Sequence, residues 1–78
     1  MCLGIPGQVV EITDAENHLA RVDVNGIKRT ISVRLLAKEN LQPADWVLVH
    51  VGFALARLDE EEARRVLALL AELGEVEP

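Results

Sequence analysis

The chain of 78 residues holds one cysteine and two histidines, and the cysteine stands at position 2, in "MCLGIPGQVV". A thiolate attacks electrophiles or binds soft metals, and an imidazole binds metals or donates to a partner. A lone cysteine is ordinarily a small buried hydrophobe. A terminal segment, however, tends to be exposed and mobile. Cys2 is also small enough for methionine aminopeptidase to be expected to remove Met1. The thiol then lies beside an α-amino group of pKa about 7.7–8.0, and the neighbouring ammonium raises the thiolate fraction. The second candidate is His50. In "WVLVHVG" the alternation sets Val47, Val49 and Val51 on one face and Trp46, Leu48 and His50 on the other. The valine row is expected to face the interior, leaving His50 outward on the face of the only tryptophan. His18, in the polar run "DAENH", carries nothing beyond an ordinary surface histidine.

One Cys and one His cannot close a structural zinc site, which needs four protein ligands. They make half of a site, suited to a metal held transiently while a partner or the cargo supplies the other ligands. There is no Gly-rich phosphate loop, paired-His motif or Ser-His-Asp spacing. The hairpin bases Arg21, Lys28 and Arg29 hint at nucleic acid, but one Trp and one Phe in a net negative chain supply no stacking platform. Two other classes stay open. One is a plain interaction adaptor in which Cys2 is incidental. The other is an enzyme with Cys2 as N-terminal nucleophile, as in amidotransferases, although such folds need far more chain.

The elements that must position these residues read mainly as β. "GQVVEIT" is a first strand, with Gln8, Val10 and Ile12 alternating against Val9 and Glu11. In "LARVDVNGIKRTISV", Ala20, Val22 and Val24 share one face, and Asn25-Gly26 is the strongest short hairpin signal. The return strand is predicted to turn Ile27, Ile31 and Val33 inward. "LLAKENLQPAD" reads as a connection with a helical turn. Pro43 stands before the strand "WVLVHVG", where its missing donor does no harm. The period then changes to 3.6 in "LDEEEARRVLALLAELG". Asp59 is the N-cap, Glu62 completes a capping box, Ala63, Val66, Leu67, Leu70 and Leu73 form the apolar stripe, and Gly74 is the C-terminal cap. Four or five short strands must close or curl to hide their edges. The expected fold is a small OB-fold-like five-stranded barrel (1–58, with the functional tip at its start), a C-terminal amphipathic helix packed on it (59–74) and a flexible tail (75–78).

Half the residues are hydrophobic and few are aromatic, so an aliphatic core is expected. A single Cys forms no internal disulfide. No apolar run reaches the length of a membrane span and no signal peptide is apparent, so a cytoplasmic location without membrane partners is expected. The net charge of −5 arises entirely after residue 58, for the first 58 residues carry six acids and six bases.

The stretches "MCLGIPGQVVEI" and "DWVLVHVGFALARLDEEEA" resemble the HypC/HupF/HybG family of nickel-iron hydrogenase maturation chaperones. The first carries the family's Met-Cys-aliphatic-small-aliphatic-Pro-Gly as Met1 to Gly7. The second carries its Asp-aromatic-Val-aliphatic-Val-His-x-Gly-aromatic-Ala as Asp45 to Ala54. One departure is Ala44, where the family commonly has Gly before the Asp. The resemblance implies an OB-like barrel and a chaperone rather than an enzyme. It implies two partners, the scaffold protein HypD and the hydrogenase large-subunit precursor. It also implies a cargo, the iron group with two cyanides and one carbon monoxide, Fe(CN)2CO. Cys2 is implied as the essential residue for both complexes and an iron ligand, with His50 beside it. In the "CLGI" tip, Leu3 and Ile5 anchor to a partner groove around Gly4, while Pro6 and Gly7 set how the tip leaves the barrel.

Overall fold

The computed structural model describes residues 4–72. Five strands, β1 (Ile5–Asp14), β2 (Leu19–Val24), β3 (Ile27–Ser32), β4 (Trp46–His50) and β5 (Phe53–Leu58), precede helix α1 (Glu60–Glu72). A 3-10 helix, Arg34–Glu39, lies between β3 and β4. The strands close a barrel in the order β1-β2-β3-β5-β4, the circuit of an OB-like barrel, as the sequence predicts. Every ladder is antiparallel except β3–β5, which is parallel and consists of the single pair Ser32 and Phe53. The Ser32 N–H donates to the Gly52 carbonyl at 2.9 Å and makes this closure.

The first strand begins at Ile5, two residues before the predicted start, so Pro6-Gly7 is not a break but part of the ladder with β4. From Ile5 to Gly7 the strand has only β4 beside it, since pairing with β2 starts at Gln8. A strand with one neighbour tolerates proline. The predicted alternation through Val9–Ile12 is interrupted by a register shift between Val9 and Glu11. Val10 is the extra residue of this bulge, which leaves Val9 buried and Val10 on the surface.

The Asn25-Gly26 hairpin forms as expected, with φ of 53° and 88° at its two central residues. The Asp23 carboxylate accepts from the Gly26 N–H at 2.9 Å. Ala20, Val22, Ile31 and Val33 are buried, but Ile27 is 56% exposed, against the prediction. The reason is the barrel's closure. Because β3 meets β5 only at Ser32, no described strand lies across from Ile27 to cover it.

The predicted connection folds as the 3-10 helix, and its Leu36, with Leu41, fills the barrel end near the β1–β2 loop. In that loop the Asp14 carboxylate accepts from Asn17 Nδ2 at 2.8 Å and from its backbone N–H at 3.1 Å. These bonds, the side-chain one first, hold the Asp14 carboxyl below its ordinary range. His18 adopts φ 58°, and its carbonyl accepts from the Val33 N–H at 2.8 Å. Its contribution is made through the backbone.

Along β4, Val47 is fully buried and Val49 packs partly against the core, whereas Val51 is 80% exposed and leaves the predicted inward row. Val51-Gly52, with φ of 50° and 83°, is the two-residue turn that joins His50 to Phe53. It has the same left-handed geometry as Asn25-Gly26. "FALARL" then forms β5, a strand the sequence reading did not locate. The core is aliphatic, its largest fully buried side chains being Val9, Val22, Val47 and Pro6.

At the start of α1 the capping box forms reciprocally. The Glu62 N–H donates to Asp59 Oδ1 at 2.7 Å, and the Asp59 N–H donates to Glu62 Oε1 at 3.3 Å. Ala63 and Leu70 are buried where the helix lies on β1 and β4. The predicted stripe residue Leu73, the cap Gly74 and the tail 75–78 lie outside the described residues.

Candidate functional site

Cys2 and Leu3 lie outside the described residues. The described chain starts at Gly4, and a Cβ placed there would come 2.5 Å from the Val49 carbonyl oxygen, a backbone atom that cannot swing aside. Ile5 pairs with Val49 and Pro6 with Leu48. The chain therefore enters β1 alongside the last residues of β4, at the barrel end that carries His50. Gly7 is needed on the inner side of the same entry, for a Cβ there would meet Val22 Cγ1 at 2.5 Å.

His50 is exposed at the end of β4, opposite Phe53 across the hairpin. It lies outward on the strand face of Trp46 and Leu48, both half-buried. Of the predicted partner-contacting residues that the structure describes, Gly4, Ile5 and His50 gather at one barrel end. The Pro6 side chain is fully buried, so Pro6 positions the entry rather than presenting a surface. Pro6, Gln8, Trp46 and Leu67 line a shared crevice, through which α1 braces the root of β1. Among the described residues, no three His, Asp, Glu or Cys side chains cluster as a metal site.

Two features of this end escaped the sequence reading. The first is Val51, a β-branched residue in left-handed conformation next to His50, a combination that is a genuine outlier. The only available signal was the Gly that follows it. The second is a cleft of about 340 Å³ between β3 and the Val51-Gly52 turn, with Ile5, Val24, Arg29 and Val49 on its walls. At the other end, Glu39, Asp45, Asp59 and Glu60 surround a second depression. It is spanned by Arg57, which is 3.6 Å from the Asp45 carboxylate and donates to the Glu39 carbonyl at 3.5 Å.

The fold is thus that of a small OB-like barrel braced by a helix, with its entry strand delivered beside an exposed histidine. The chain belongs to the HupF/HypC family, whose sequence model matches residues 1–70. It is 49% identical over 79 residues to hydrogenase maturation factor HypC of Rhodobacter capsulatus, covering 99% of this chain and 82% of that protein. It is 50% identical over 76 residues to HypC of Azotobacter chroococcum, covering 97% and 86%. It is 46% identical over 77 residues to hydrogenase maturation factor HybG of Escherichia coli K12, covering 94% and 92%.

Proposed function

We propose that this chain is a hydrogenase maturation chaperone that binds a HypD-like scaffold, then a hydrogenase large-subunit precursor, and helps deliver the Fe(CN)2CO group between them. The observation that carries this reading is the family match over nearly the whole chain, both motifs included. The geometry of the described end supports it. Gly4, two residues from Cys2, abuts Val49, the residue before His50. A thiolate is a fitting ligand for low-spin iron already crowded by strong-field ligands, and it lets go when another protein offers better ones. His50, exposed and held on a strand, serves as a fixed donor or second ligand. The chain acts here as carrier and adaptor, and the iron group is its cargo.

The test is co-expression with a HypD-like protein and with a large-subunit precursor, followed by pull-down, iron analysis and infrared spectroscopy. Wild type is expected to co-purify with each partner and to show cyanide and carbon monoxide stretches. Cys2→Ala is expected to keep the wild-type circular dichroism and lose both complexes and the stretches. Undiminished complexes in Cys2→Ala would sink the proposal. His50→Ala is expected to weaken the iron signal more than the protein complexes.

A further inference from the structure

The closure of the barrel by one residue pair leaves most of β3 with a bare edge. Strand β3 pairs with β2 along its whole length, from Ile27 to Ser32, but with β5 only at Ser32. The Ser32 N–H points away from β2, toward Gly52. Backbone groups alternate direction along a strand, so those of Lys28 and Thr30 point the same way. Across from them no strand lies among the described residues. Such an edge is a template for an added strand unless something blunts it. Here Ile27, Lys28, Arg29 and Thr30 are all exposed and contain no proline or bulge; the charges of Lys28 and Arg29 guard the edge against a cationic strand but not against an acidic one.

The chemistry beside this edge selects what adds to it. The cleft of about 340 Å³ is walled by Ile5, Val24, Val49 and Val51, with Arg29 at its border. Among the described residues Lys28 and Arg29, like Arg34 and Lys38, have no carboxylate within ion-pair distance, although Asp23 stands across the ladder from Lys28; of these four, Lys28 and Arg29 are the two on the open edge. Val51 is held in a left-handed conformation that Asn or Gly adopts more cheaply, and it is 80% exposed on the cleft rim. Strained residues of this kind cluster at ligand sites.

We propose that the β3 edge and its cleft form a docking site for an extended segment of a partner protein, one alternating apolar residues with carboxylates. The segment adds as a strand along Lys28–Thr30, its apolar side chains enter the cleft on the face of Arg29 and Ile31, and its alternate carboxylates, on the opposite face, meet Lys28. A second copy of this chain is disfavoured as occupant, because β3 against β3 sets Lys28 and Arg29 beside the same cations. The proposal shares Ile5 with the tip but uses neither the Cys2 nor the His50 side chain, so Cys2→Ala is expected to leave peptide binding unchanged.

The experiment is selection of a random-decapeptide pool on the folded full chain, followed by backbone amide exchange and affinity measurement with the best-enriched peptide. Enriched sequences are expected to alternate Val, Ile or Leu with Asp or Glu, and to slow exchange at Lys28 and Thr30. Thr30→Pro removes an edge donor without touching the β2 ladder and is expected to weaken binding at least tenfold. Lys28→Glu is expected to do the same. Val51→Asn relieves the turn, so it is expected to raise the melting temperature while lowering peptide affinity, which separates loss of the site from loss of the fold. Enrichment of basic or helix-forming peptides, protection elsewhere than β3, or binding that survives both Thr30→Pro and Lys28→Glu overturns the proposal.

Discussion

Ala44 shows how one residue can be read from the sequence and yet understood only from its backbone. In the structure it adopts φ 80°, in the left-handed region that Gly enters without strain. Its N–H donates to the Val9 carbonyl at 2.8 Å, and the next N–H, of Asp45, donates to the Gln42 carbonyl at 3.0 Å. The turn is thus pinned from both sides, and the alanine Cβ bears the strain. An L-residue in this region is disfavoured by about 1–2 kcal/mol, part of which Gly returns as extra freedom of the unfolded chain. Ala44→Gly is therefore expected to stabilise the protein by about 0.5–1 kcal/mol, raising the thermal midpoint by roughly 2–8 °C for a domain of this size. Calorimetry checks it. Cys2 and His50 were legible as candidates because their residue types are scarce and chemically distinct. Val51 was not, because a valine in "WVLVHVG" looks like one more strand residue.

At the scale of elements, strong local chemistry gave reliable readings. The Asn25-Gly26 hairpin and the Asp59–Glu62 capping box both form as their residues demand. Loss of such a cap costs about 1 kcal/mol, so Asp59→Ala is expected to lower stability by that amount. The loss should appear as earlier fraying in helical circular dichroism on heating, with the barrel's transition shifted by only a few degrees. Where the alternation itself departs from the structure, a bulge or a turn changes the parity of the strand; Ile27 and Pro6-Gly7 depart for another reason, the choice of neighbouring strand. Val10 in β1 and Leu55 in β5 are each the extra residue of a register shift. A strand's period of two carries no mark of where such a residue will be inserted, because a bulge is settled by the partner strand. The β4–β5 hairpin was hidden for a similar reason. Its turn has the geometry of Asn-Gly, but the residue in the Asn place is Val51.

At the scale of the whole molecule, the helix is tied to the entry strand. Helix α1 lies on β1 and β4, with Ala63 and Leu70 buried and Leu67 in the crevice with Pro6 and Trp46. Truncating a buried Leu to Ala costs about 2–5 kcal/mol, and the edge of a small barrel belongs near the lower bound. Leu70→Ala is expected to destabilise by about 2–3 kcal/mol. It should also speed amide exchange at Ile5 and Gly7 while Val22 and Ile31, deep in the barrel, keep their protection relative to global unfolding. Equal loss of protection at all four amides would show that the helix does not brace the entry in particular. The charge distribution belongs to this scale as well. The acids after residue 58 make the chain net negative, yet among the described residues Lys28 and Arg29 have no ion pair at the open edge. A sum over the chain says nothing about this local field.

By itself the sequence determined what is local or compositional. It specified an aliphatic core, a primed-turn hairpin, a capped amphipathic helix and the scarce side chains with chemistry to offer. These follow from periodicity, turn residues and capping, which act over a few positions. Only the tertiary structure decided that Pro6-Gly7 lies inside the barrel wall and that Gly4 abuts the strand end carrying His50. It alone set Val51 on an exposed rim and closed β3 onto β5 at Ser32 and Phe53. Each of these depends on which strands become neighbours and in what register. That choice is made by packing between residues far apart in the chain, so no short stretch of sequence displays it.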